Sequence, residues 1–123
     1  MARNSVFRGS VIQHTVGADT AAGDVVVIGS MLGVALNDIA NGQTGPCAIS
    51  GVFVCPKVST AVIGQGESLV WVVASSEFDD QLATPVEGDI SGVCAVAWEA
   101  AGNGATTVKV LLTGLPGAVE PAP

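Results

Sequence analysis

An all-β fold, a small β-barrel or sandwich of about eight short strands, is predicted by three features of this chain. Runs of Val and Ile alternate with short Gly-rich turns. The middle of the chain is echoed near its end. No segment sustains the period of an amphipathic helix.

The stretch from Gly23 to Pro56 reads as strand, turn, strand, turn, strand. Gly23-Asp24 opens the β-branched run Val25 to Ile28, Gly29-Ser30 interrupts it, and Met31 to Leu36 is a second apolar run. Asn37 to Gly45 holds turn formers. Asn41-Gly42 is the strongest hairpin signal, because both residues tolerate positive φ. Cys47 to Val54 is a third run, closed by Pro56, which has no N–H to donate.

A second copy of this pattern follows. Val34-Ala35-Leu36 matches Val96-Ala97-Trp98, and Asn41-Gly42-Gln43-Thr44 matches Asn103-Gly104-Ala105-Thr106 without a gap. Cys47-Ala48-Ile49 then aligns with Lys109-Val110-Leu111, and the opening Gly23-Asp24-Val25 aligns with Gly66-Glu67-Ser68. The second copy carries an insertion, roughly Ser75 to Asp89. Two copies are too few for a solenoid, so a duplicated β unit closing on one core is expected. Chance self-similarity of a Val-rich chain is the competing explanation.

Taken in order, residues 1–9 form an N-terminal arm or an edge strand, residues 10–113 the β domain, and residues 114–123 a Pro-rich extended tail. Ser5 to Arg8 and Ser10 to Val16 are extended. Ser68 to Ala74 is a strongly apolar, central strand with Trp71 in the core. Ser75 to Asp89 is the least strand-like stretch, with at most one helical turn around Phe78 to Leu82. Ile90 to Trp98 and Thr106 to Leu112 make the final hairpin.

With 123 residues the chain supports one domain with a real core. Apolar residues make up 49% and charged residues only 12%, well below the usual quarter. That composition predicts surface buried against a partner or sister subunits. Small Ala and Gly side chains account for part of it.

The net charge is −7, and the only cations are Arg3, Arg8, Lys57 and Lys109. Neutralising phosphates needs a basic footprint, so no nucleic-acid partner is expected. An anionic membrane is disfavoured on the same ground. Val25 to Leu36 is too short to span a bilayer. No apolar segment follows Met1, so no signal peptide is expected and the product belongs in the cytoplasm where it is made. Cys47, Cys55 and Cys94 are odd in number without CxxC spacing, and read as buried reduced thiols.

The motifs of chemistry are missing. There is no Gly-Lys pair for a phosphate loop and no Gly-x-Ser-x-Gly elbow. His14, the single histidine, reads as a strand residue. Glu77, Asp79 and Asp80 suit a hard cation by type, but the spacing of a calcium loop is absent and a solvated loop fits better. No enzyme activity, cofactor or metal is expected. Trp71, Trp98 and Phe78 offer stacking surfaces for a small β-rich ligand- or carbohydrate-binding module, although aromatics in a Val-rich chain more often pack.

Several segments together resemble a known family. They are Met-Ala-Arg-Asn at the N-terminus, Gly23-Asp24-Val25-Val26-Val27-Ile28-Gly29, Gly33-Val34-Ala35, Gly51-Val52-Phe53 with Pro56-Lys57, and the ending from Gly92 to Leu112. The chain resembles the small tailed-phage proteins encoded beside the major capsid gene, the capsid cement or decoration proteins. The likeness runs from Met1 to about Leu112 and rests on turns and strand edges. It implies a β-rich fold, no cofactor, a structural role in the virion, and binding to the major capsid protein on the outer surface of the shell. By analogy it implies a homotrimer. Some members carry a RecA-type recombinase label, which the missing phosphate loop contradicts.

The N-terminal segment is the expected capsid contact. Arg3 and Arg8 are half of all the cations, and Val6 and Phe7 between them offer an apolar anchor. Such an arm can add as a strand to a sheet edge while its arginines meet carboxylates. The alternative is that Ser5 to Arg8 is the first strand of the domain's own sheet.

Overall fold

The structure is a computed structural model that describes residues 9–81 and 83–121. Among these the fold is all-β, with eleven strands and no helix. The first sheet contains β1 (Val11–Thr15), β2 (Val25–Ile28), β3 (Met31–Ala35) and β4 (Thr44–Ala48), in the order β1-β4-β3-β2. The second contains β5 (Ser50–Pro56), β9 (Ala95–Ala97) and β10 (Thr107–Thr113), in the order β5-β10-β9. The third contains β6 (Val70–Val72), β7 (Glu77–Asp79), β8 (Ile90–Ser91) and β11 (Ala118–Val119), in the order β11-β8-β6-β7. Every named strand pair is antiparallel.

All three sheets contribute to one core. Leu32 and Val34 come from the first sheet, Cys55, Ala95, Val108, Val110 and Leu112 from the second, and Trp71, Phe78 and Ile90 from the third. A smaller cluster of Val16, Val26, Ala35, Ile39 and Cys47 lies under the first sheet.

The duplication is visible in the backbone. Thr20 and Ile39 exchange both peptide hydrogen bonds, and so do Ile63 and Ala101. The Gly23 N–H donates to Ala35 O at 2.8 Å, and the Gly66 N–H to Ala97 O at 2.9 Å. The carboxylate of Asp24 accepts from the Ala21 N–H at 2.9 Å, and that of Glu67 from the Gly64 N–H at 2.9 Å. The Gly42 N–H reaches Val16 O, and the Gly104 N–H reaches Ser59 O. Val25 pairs with Val34 as Ser68 pairs with Val96. With Ser68 added beside β9, the second sheet repeats the strand order of the first.

The register differs from the gapless sequence match at one point. Ala35 faces Cys47 in the first copy, whereas Ala97 faces Val110 in the second, not Lys109. A slip of one residue moves a strand's side chains to the opposite face. Here it buries Val110 and leaves Lys109 outside.

Three other expectations are corrected. The run Cys47 to Val54 is not one strand. Ile49 still donates to Ser10 O on the first sheet, while Ser50 pairs with Thr113 in the second. Gly51, at φ 122°, supplies the bend of a strand changing sheets. The stretch around Phe78 is strand β7 rather than a helical turn, because Phe78 is fully buried opposite Trp71. The material added to the second copy lies between Leu69 and Ala95, wider than Ser75 to Asp89, since the flanking pairs Val26–Gly33 and Leu69–Ala95 correspond. It builds most of the third sheet.

The C-terminal tail is extended and tied down: Ala118 pairs with Ser91 and Val119 with Ile90. A side chain at Gly117 would meet Ser91 O at 2.5 Å, so only glycine lets the tail pass this close.

Candidate functional site

Alternation along β10 sends Val108, Val110 and Leu112 into the core and Thr107, Lys109 and Leu111 outward. The same period on β5 turns Val52, Val54 and Pro56 outward. Cross-strand register places Leu111 between Val52 and Val96, and Lys109 beside Val54. Trp98 continues β9 on this side, its N–H donating to Lys109 O at 2.8 Å. The result is an outward sheet face built from Val52, Val54, Val96, Trp98 and Leu111, with Val54 63% and Trp98 50% exposed.

A shallow cleft of about 390 Å³ lies along this face, lined by Gln65, Gly66, Val96, Ala97, Trp98, Glu99 and Leu111. Its two charged neighbours cancel, with Lys109 Nζ 3.2 Å from Glu99 Oε2. Both partners are about half exposed, so the pair adds little to stability. In the first copy Leu36 occupies the place of Trp98 and is also exposed. Exposed apolar groups concentrated on one sheet face mark an interaction surface.

The acidic side chains serve the backbone. Asp19, Asp24, Asp38, Glu67, Asp79 and Asp89 each accept at least one peptide N–H. Asp89 is buried and takes bonds from Val73 and Val86. Among the described residues no three His, Cys, Asp or Glu side chains come together as a metal site. His14 sits on β1 opposite Gly45.

The three thiols are free and buried. Desolvation raises the pKa of all three, and that of Cys55 to about 11. Thiols held protonated this way are poor nucleophiles and poor ligands.

Of the aromatic residues, Trp71 and Phe78 pack edge to face with ring centroids 4.8 Å apart, in the core. Of the three, only Trp98 stands in the open, so it alone remains as a stacking surface. The segment with Arg3, Val6, Phe7 and Arg8 lies outside the described residues.

Sequence reasoning missed the Trp98 face, although its signal was present. Both β5 and β10 carry apolar residues on their outward as well as their inward positions. Reasoning from sequence also missed Lys57, which is 1% exposed. No helix among the described residues is long and apolar enough to cross a membrane.

In a comparison with known families, residues 6–112 match the phage cement protein family. No curated protein sequence matches the chain.

Proposed function

This chain belongs to the phage cement protein family, and from that premise we propose that it decorates the outer surface of a tailed-phage capsid and stabilises the shell. The family assigns a structural role in the phage capsid. The finer reading has the protein bound to the major capsid protein as a homotrimer.

The observation that carries this reading is the Trp98 face. The chain is strongly acidic, so copies of it repel one another over most of their surface. The Trp98 face has no net charge, because Glu99 and Lys109 pair within it. Sister copies meet there without opposing carboxylates, and the exposed Trp, Val and Leu side chains leave water. The basic N-terminal segment with Arg3, Val6, Phe7 and Arg8 is then left to engage the shell.

The test uses undecorated shells of the parent phage. Purified protein is added, the shells are sedimented, and their disruption temperature is measured by calorimetry. Saturable co-sedimentation and a raised disruption temperature are expected. Protein that stays in the supernatant would overturn the decoration reading.

A further inference from the structure

A second cleft, of about 200 Å³, opens where the three sheets meet. Gly23, Asp24 and Val25 line it from the start of β2, Pro56 from the end of β5, and Trp71 and Ser76 from β6 and the turn after it. Its floor is unusual. Trp71 is only 4% exposed, yet its indole N–H has no hydrogen-bond partner among the described residues. That N–H is not sealed off either, since among the described residues no fully buried side-chain nitrogen or oxygen lacks a partner. The small exposed remnant of Trp71 therefore includes its donor, and Trp71 is one of the residues that line the cleft. A buried indole N–H usually finds an acceptor, so this one stands ready for an acceptor from outside.

Two more polar groups stand on the same cleft. Asp24 uses Oδ2 to accept from the Ala21 N–H at 2.9 Å, and its Oδ1 has no partner among the described residues. Ser76 is exposed and is the one non-glycine described residue with positive φ, at 54°. Its N–H is tied to Val72 O at 2.8 Å, which holds the residue in that costly conformation at the cleft's rim. Val25 and Pro56 supply apolar walls.

We propose that this cleft is a binding site for an amide group, a peptide bond or an Asn or Gln side chain carried by a segment of the shell protein. The chemistry selects the class. An amide accepts from the Trp71 N–H through its oxygen and donates to Asp24 through its nitrogen. A lone cation satisfies Asp24 and leaves the indole donor unpaired. A carboxylate or phosphate satisfies the indole and is repelled by Asp24. The volume takes one side-chain-sized group, and is too small for a nucleotide or a sugar chain. Identifying the source as the shell protein rests on the decoration reading; the chemistry of the cleft does not.

The test follows the two indole N–H signals of the ¹⁵N-labelled protein, one for Trp71 and one for Trp98, during titration with N-methylacetamide. A saturable downfield shift of the Trp71 signal, absent with acetate or methylammonium, is expected. Asp24→Asn keeps an oxygen for the Ala21 N–H and removes the charged acceptor, and is expected to weaken saturation about tenfold, the loss of one charge-assisted hydrogen bond. A Trp71 signal that does not saturate, or that responds equally to acetate, would overturn the site. In a second arm, Asp24→Asn is compared with the native chain for binding to undecorated shells. Affinity about tenfold lower is expected, and unchanged affinity would rule out the shell protein as the source. Native protein that fails to bind shells at all refutes the decoration reading instead, and is told apart by a titration that still saturates.

Discussion

The ammonium of Lys57 lies 3.0 Å from the carbonyl oxygen of Ala105. The same Nζ donates to Val58 O at 2.7 Å and to Ser59 O at 3.4 Å, so the end of β5 and the turn before β10 are gathered round one buried cation. A buried charge is tolerated only when its donors are used, and here carbonyl oxygens use them. Replacing Lys57 by Met keeps the aliphatic stem and removes the donor. The expected loss is about 1–3 kcal/mol of unfolding free energy, because Ala105 O is left unsatisfied, whereas Val58 O still accepts the Ala61 N–H and Ser59 O the Gly104 N–H. Urea unfolding checks it: the midpoint falls at unchanged slope. A loss below about 0.5 kcal/mol, the range of ordinary surface substitutions, would show that the carbonyl cage contributes nothing.

Alkaline pH is expected to weaken the fold through Cys55. Burial raises its pKa from 9.0 to about 11. The folded state thus holds the proton where the unfolded chain releases it. The contribution is complete below pH 9 and is lost as pH rises toward 11. Thermal melts of the native chain should fall across that window, and Cys55→Ala should show a shallower fall. Identical slopes for the two proteins would remove Cys55 as the cause.

Trp98 and Phe78 should behave oppositely on truncation. Phe78→Ala empties a fully buried site against Trp71 and is expected to cost about 3–5 kcal/mol. Trp98→Glu touches an exposed position, so the monomer's fold should survive while assembly fails. Sedimentation velocity is the measurement: a trimer for the native chain and a monomer for Trp98→Glu. A trimer that persists in the variant would place the sister contact elsewhere.

Deletion of Met1 to Arg8 separates the two readings of the N-terminus. If Arg3, Val6, Phe7 and Arg8 form a docking arm, the truncated protein melts at the native temperature and no longer sediments with undecorated shells. A lowered melting temperature would instead identify a strand of the domain's own sheet, and full shell binding would discard the arm.

Much of the architecture was written locally. The Val and Ile runs, the Asn41-Gly42 and Asn103-Gly104 turns and the matched openings at Gly23 and Gly66 specify strands, hairpins and a repeat, because turn chemistry and strand alternation depend on neighbours in the chain. Buried thiols were legible for the same reason, each lying within an apolar run. Tertiary structure decided what depends on distant partners. Ile49 became a corner because Ala48 and Ser50 pair in different sheets. Val110 took the inward place that the gapless match assigned to Lys109, since pairing with Ala97 sets that register. Trp71 went inside and Trp98 outside, although each ends or fills a similar Val-rich run. Lys57 was buried by carbonyls that include one from Ala105, remote in sequence. Local pattern proposes which faces are apolar, but only the pairing of remote strands determines which of those faces is covered.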